Sequence, residues 1–188
     1  MLLAAIAAAV AILVAQLKLT SPSAPASPGS GTTSGAPAFV KGGVTHVYDG
    51  DTVEVMGTGR VRLIGIDSMD GHNLERAFSQ ARRFGMSVED VKRWADRATD
   101  FARDKLKGRR VTLYFGPERS DGFGRTLAYV HLHGEAAQEE DFNLTMLREG
   151  LAVAYRGFPH PRLDEYLKAE KEAQAARAGI WKNATLRP

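Results

Sequence analysis

Four short stretches hold side chains suited to chemistry on a phosphate. Asp49-Gly50-Asp51-Thr52 sets two carboxylates around a glycine. Asp-Gly is also ordinary hairpin chemistry, so the stretch admits a structural reading as readily as a catalytic one. An EF-hand is excluded, because the twelfth position of such a loop would be Arg60 rather than Glu. Arg62-Leu63-Ile64-Gly65-Ile66-Asp67-Ser68-Met69-Asp70 carries an arginine and two aspartates. Strand alternation would put Arg62, Ile64 and Ile66 on one face, which makes Arg62 either a solvated edge residue or a functional one. Asp121-Gly122-Phe123-Gly124-Arg125 is a glycine-rich turn ending on a second arginine. Carboxylates hold hard cations through oxygen, and arginines clamp phosphate oxygens and offset charge that develops on them. Together these groups are a minimal kit for phosphodiester hydrolysis.

The elements that must position this kit can be read from periodicity. Val44 to Tyr48, Thr52 to Met56 and Arg60 to Ile66 are β-branched or aromatic runs broken by Asp-Gly and Gly-Thr-Gly turns, the pattern of an antiparallel meander. From Ser87 to Leu106 the period changes. Val88, Val91, Trp94, Ala95, Ala98, Phe101 and Ala102 recur at helical spacing, with Ser87 and Asp90 as a capping box and Gly108 as the stop. Arg110 to Phe115 and Thr126 to Leu132 are the fourth and fifth strands. Phe142 to Arg148 is a short helix closed by Gly150, and Pro161 to Arg177 is a long amphipathic one with Gly179 past its end. Five strands and three helices in this order predict an α+β domain built on a five-stranded OB-fold β-barrel.

Residues 39–188 form that domain. Residues 1–19 read as a signal peptide or an N-terminal membrane anchor, because Leu2 to Ala15 is an unbroken apolar run, shorter than the roughly 20 residues of a full span. Residues 20–38 are almost wholly Ser, Pro, Gly, Thr and Ala, the composition of a flexible tether. Export follows in either case, with the membrane as a partner if the segment is not cleaved. The first 38 residues carry one charge, Lys18, so the remaining 150 hold 24 Lys and Arg against 22 Asp and Glu, a net +2. That balance does not by itself argue nucleic-acid binding. The chain has no cysteine, which excludes disulfides, thiolate chemistry and cysteine zinc sites. His131 and His133 share a strand face at i, i+2, without an accompanying carboxylate motif to make a zinc site. Trp94 and Trp181 are expected in the core, and the charges between Leu163 and Arg177 on the wet face of a helix.

Taken together, Val47-Tyr48-Asp49-Gly50-Asp51-Thr52, Arg62 to Ser68 and Asp121 to Tyr129 resemble the staphylococcal nuclease family. Asn143, Glu149-Gly150-Leu151-Ala152 and Ala178-Gly179-Ile180-Trp181 extend the resemblance in the same order, over about residues 43 to 181. The resemblance implies a calcium-dependent nuclease acting on DNA or RNA, expected as a monomer. It makes Asp51 and Asp67 calcium ligands, with the backbone carbonyl of Ser68 as a third. It makes Arg62 and Arg125 the catalytic arginines on the scissile phosphate, and Tyr155 a residue of the nucleotide pocket. A metal-associated water would attack phosphorus and leave 3′-phosphorylated products.

The departures from the family pattern are local. Where the family usually has Asp-Thr-Pro-Glu, with the Glu as general base, this chain reads Asp67-Ser68-Met69-Asp70. Asp70 keeps the carboxylate but is shorter by one methylene, roughly 1.5 Å of reach. Losing the proline is expected to loosen the turn that aims it. Glu75, expected in a loop, is the fallback base. Phe123 stands where a Tyr is usual, which removes a hydroxyl. Residues 71 to 87 look longer than the family's loop, and Arg76, Arg82 and Arg83 within them are read either as solvated or as substrate contacts. The alternative to an active nuclease is a catalytically weak or inactive OB-fold module that binds nucleic acid or protein.

Overall fold

The computed structural model describes residues 38–133 and 138–185. The signal or anchor segment at 1–19 and, except for Ala38, the tether at 20–38 lie outside the described residues. Among the described residues no helix is long and apolar enough to cross a membrane.

Five strands close a barrel. They are β1 (Phe39–Asp49), β2 (Thr52–Val55), β3 (Gly59–Leu63), β5 (Arg110–Tyr114) and β6 (Thr126–His133). β1 pairs antiparallel with β2 and β5, β2 with β3, and β5 with β6. The parallel pairing of β3 with β6, Val61 opposite Thr126 and Leu63 opposite Ala128, closes the ring. The barrel is filled by alternating apolar positions, Val44, Val53, Val61, Leu63, Val111, Leu113 and Val130 among them, all buried. This is the expected α+β OB-fold barrel. β1 starts earlier than the sequence suggests, because Gly42-Gly43 interrupts the β-branched pattern without interrupting the strand. A Cβ on Gly42 would stand 2.6 Å from Val55 Cγ1, so glycine is what lets β1 pass β2 here.

Three small strands sit outside the barrel. β7 (Glu139–Asp141) pairs with β6, while β4 (Ile66–Ser68) pairs with β8 (Ala152–Ala154). Arg60 to Ile66 is therefore not one strand. Gly65 adopts φ +76, and a Cβ on it would lie 2.5 Å from the His160 ring, so the chain turns there and begins β4. Ile66 consequently does not continue the face of Arg62.

Among the described residues the α-helices number four, not three. α1 (Leu74–Phe84) occupies the stretch expected to be a loop; α2 (Val88–Leu106), α3 (Phe142–Arg148) and α4 (Leu163–Ala175) match the expectation. Asn73 caps α1 by accepting from the Arg76 N–H, and Gly85 ends it at φ 62. Ala77, Gln80, Ala81 and Phe84 form its buried face. α2 starts on the capping box, with Ser87 Oγ accepting from the Asp90 N–H, and packs its apolar stripe against β1. Trp94 and Trp181 are buried, as expected. One charge on α4 departs from the wet-face expectation. Glu170 is buried, accepts from the Ala154 N–H and pairs with Arg156.

Candidate active site

The β1–β2 turn is pressed against two other elements. A Cβ on Gly50 would lie 2.8 Å from Ala98 Cβ of α2 and 2.9 Å from Ser68 Cβ of β4. This close approach delivers Asp51 to the β4 strand. Asp51 is buried, and its Oδ2 accepts from the Ser68 N–H at 2.7 Å and the Ser68 hydroxyl at 3.0 Å. Its Oδ1 accepts from Thr52 Oγ1 at 3.1 Å and stands 3.3 Å from Arg62 Nε. Burial alone would raise the Asp51 pKa, but the Arg62 charge and the Ser68 and Thr52 hydrogen bonds hold it below the ordinary carboxylate value.

Arg62 lies on β3 opposite Thr52, which points it back to the same turn. Its Nη1 donates to the Leu63 carbonyl at 2.8 Å, and its Nη2 stands 3.3 Å from Asp67 Oδ1. The Gly65 turn brings Asp67 round onto β4. Burial, then repulsion from Asp51, raises the Asp67 pKa against the pull of Arg62 and Arg76. Asp49 follows the same logic: burial first and the Asp51 charge second push it up to about 6.

Asp70 is held through its N–H and both carboxylate oxygens by α1 and the turn before it. Its N–H donates to Gln80 Oε1 at 2.9 Å. Its Oδ1 accepts from the His72 and Asn73 N–H groups at 2.9 and 2.8 Å, and its Oδ2 stands 3.3 Å from Arg76 Nε. Gln80 Nε2 also donates to the Ser68 carbonyl at 3.2 Å, and the Met69 side chain is buried in the core. The turn expected to be loosened by loss of proline is thus fixed by a buried glutamine and a buried methionine.

Arg125 is aimed by its own turn. Asp121 Oδ1 accepts from the Phe123 and Arg125 N–H groups at 2.9 and 3.0 Å, and Asp121 Oδ2 accepts from Arg125 Nε at 2.7 Å. Asp51, Arg62, Ser68, Asp70 and Arg125 line one cleft, together with Asp49, His72, Arg76, and Asp96 and Thr99 from α2. Asp67 is tied into it through Arg62 and Arg76.

Tyr155 is not brought to this cleft. It follows β8, donates its backbone N–H to the Gly65 carbonyl at 2.9 Å and packs its half-exposed ring against Phe158. Glu75 sits in the first turn of α1 rather than in a loop, and neither it nor Arg82 nor Arg83 lines the cleft. The residues that sequence reasoning missed are Asp49 as a site residue, His72, Arg76 as a partner of both Asp67 and Asp70, and Gln80. The signal for α1 is present, since Leu74, Ala77, Phe78, Ala81 and Phe84 recur at helical spacing between Asn73 and Gly85.

The carboxylates at the cleft offer oxygen donors. Burial first, and repulsion from Asp51 second, raise the pKa values of Asp49 and Asp67, a situation that a hard divalent cation relieves. Arg62 and Arg76 supply the counter-charge in this structure. No group of three or more His, Asp or Glu among the described residues is arranged to hold a metal ion. His131 and His133 do have a carboxylate neighbour that the sequence did not reveal: Glu139 lies 3.8 Å from the Nδ1 of each.

The staphylococcal nuclease homologue model matches residues 60–183. The chain belongs to that family. An uncharacterized protein of Methanocaldococcus jannaschii is 32% identical over 148 residues, covering 74% of this chain and 70% of that protein. The thermonuclease of Staphylococcus intermedius is 34% identical over 145 residues, 73% of this chain and 74% of that one. The thermonuclease of Staphylococcus hyicus is 31% identical over 144 residues, 74% and 75% of the two chains. As a member of the staphylococcal nuclease family the chain is a hydrolase of the nuclease class. The matched span takes in Arg62, Asp67, Ser68, Asp70 and Arg125; Asp51 lies before it, and its place in the site rests on its hydrogen bonds to Ser68 and its ion pair with Arg62.

Proposed function

We propose that this nuclease hydrolyses phosphodiester bonds of DNA or RNA with calcium as its cofactor. The observation that carries the reading is the convergence of Asp51 and Arg125, from two turns, with Arg62 of β3 at one cleft, to which Arg62 also ties Asp67 of β4. Asp51, Asp67 and the Ser68 carbonyl would hold the cation. When bound, calcium would offset negative charge on the phosphate and make a nearby water easier to deprotonate. Arg62 and Arg125 clamp the phosphate oxygens and offset the charge that grows on them in the transition state. Asp70 accepts the proton of the attacking water. Tyr155 contributes to a nucleotide subsite only if the Tyr155–Phe158 pair moves toward the cleft. The enzyme acts as a monomer, exported and either released or held at a membrane by its N-terminal segment.

The purified full chain is expected to cut a single-stranded oligonucleotide when calcium is added and to stop when a chelator removes it. Absence of calcium-stimulated cutting at high enzyme concentration would overturn the reading. Arg62→Ala or Arg125→Ala is expected to lower kcat by about 10²- to 10³-fold, the cost of removing one transition-state donor. A second reading, a barrel that binds oligonucleotides with little turnover, draws on one observation: both Asp70 oxygens already have partners. Binding without cutting in the same assay would select it.

A further inference from the structure

Arg76 stands at the junction of two hollows. It lines the cleft with Arg62 and Arg125, and it also lines an open groove with Arg60, Phe123 and Arg125. α1 places it there: Asn73 caps the helix on the Arg76 N–H, and Gln80, one turn further, ties the helix to the Ser68–Asp70 backbone. Its guanidinium spans the two acidic residues of the turn, with Nη2 2.9 Å from Asp67 Oδ1 and Nε 3.3 Å from Asp70 Oδ2.

An arginine needed only to neutralise these carboxylates would sit between them and away from water. Arg62 sits in this way between Asp51 and Asp67, with a side chain 13% exposed, whereas the Arg76 side chain is 51% exposed. Its exposed part borders the groove that carries a second arginine, Arg60, and the most exposed aromatic ring of the barrel, Phe123, 5.5 Å from the Arg125 guanidinium. Cationic groups flanking an exposed ring are the features that hold a single-stranded nucleic acid, phosphates on the cations and a base on the ring.

We propose that Arg76 is a substrate-binding residue, which takes a phosphate next to the one being cleaved and directs the strand into the Arg60–Phe123 groove. A phosphate offers the guanidinium the same bidentate partner that Asp67 and Asp70 now supply. Its arrival therefore releases both carboxylates, Asp67 for the cation and Asp70 for the water. The inference rests on the nuclease reading above.

The test is binding of a fluorescent single-stranded oligonucleotide, by anisotropy, from 50 to 200 mM salt with a chelator present to prevent cutting. Each phosphate contact contributes about 0.7 to the slope of log K against log salt for a single strand. Arg76→Gln is expected to weaken binding and to make the slope shallower by about 0.7, while Arg76→Lys, which keeps the charge, retains the wild-type slope. An Arg76→Gln slope equal to wild type, in a wild type that binds and cuts, would sink this inference alone. A wild type that neither binds nor cuts with calcium would remove the nuclease reading as well. Loss of the thermal unfolding transition in both variants would assign Arg76 to structure and overturn the proposal.

Discussion

Asp70 has a carboxylate with two jobs. Oδ1 accepts two backbone N–H groups at the start of α1, and Oδ2 faces Arg76 on the cleft side. The turn is therefore shaped around an aspartate. Asp70→Asn keeps the shape and removes the charge; kcat in saturating calcium is expected to fall by about 10²-fold or more, the range for loss of a general base. Asp70→Glu would carry the acceptor roughly 1.5 Å past the His72 and Asn73 N–H groups. It is expected to slow the enzyme about 10- to 100-fold, because a misplacement of about 1 Å has that effect. Kinetics on both variants decide the matter. A faster Asp70→Glu enzyme would mean that the native base is impaired, and an unimpaired Asp70→Asn enzyme would reduce Asp70 to a turn residue. The acids and arginines themselves were legible from type and spacing: Asp51, Arg62, Asp67 and Arg125 all reach the site. Tyr155, named only through the resemblance, does not line the cleft; its position follows from the β4–β8 pairing, which three-residue strands do not announce.

At the scale of elements, α1 is what the sequence concealed. Its exposed face carries Glu75, Arg76, Ser79, Arg82 and Arg83 beside Leu74 and Phe78, so its apolar residues are divided between core and solvent and the stretch resembles a charged loop. The barrel, by contrast, was readable because its strands are β-branched or aromatic runs set off by Gly and Asp turns. Gln80 is the clearest loss: nothing local separates a glutamine that faces water from one that donates to the Ser68 carbonyl and accepts from the Asp70 N–H. Its role gives a prediction. Gln80→Leu fits an apolar side chain to the buried face of α1 but strips partners from two backbone groups. Each such group left unsatisfied costs about 1–3 kcal/mol, so stability is expected to fall by about 2 kcal/mol or more, some 4–8 °C in Tm for a chain of this size. The released Ser68–Asp70 turn is expected to lower kcat more than it raises KM. An unchanged melting temperature together with unchanged kcat would show that α1 does not hold the turn.

At the scale of the whole molecule, one histidine joins the site to the α4 side of the fold. His160 Nδ1 lies 3.0 Å from the Tyr129 hydroxyl of β6, its ring packs against Tyr166 of α4 and over Gly65, and its Nε2 is buried without a hydrogen-bond partner among the described residues. The charged groups facing this corner are Arg162, Asp141, which pairs with Arg162 and accepts from the Tyr166 hydroxyl, and Glu165. Burial first, and the Arg162 charge second, lower the His160 pKa below its ordinary 6.5. The unfolded chain therefore takes up this proton at a higher pH than the folded one does. Stability from His160 is complete above about pH 6.5 and is lost as the pH falls below it, because the unfolded state then binds more protons. Asp49, raised to about 6, acts in the opposite direction and gains stability on acidification, and His131, lowered mainly by burial, acts in the same direction as His160. The informative quantity is thus the difference between wild type and a variant. His160→Gln can still accept from the Tyr129 hydroxyl but cannot titrate. Its urea midpoint is expected to fall less than the wild-type midpoint between pH 7.5 and pH 5.5. Equal falls in the two proteins would show that His160 does not couple proton uptake to unfolding. Because the ring rests on the Gly65 turn, which separates the strand of Arg62 from that of Asp67, the same acid step is expected to loosen the cleft before the barrel, so that oligonucleotide binding weakens at a higher pH than the one at which the far side of the barrel loses its structure.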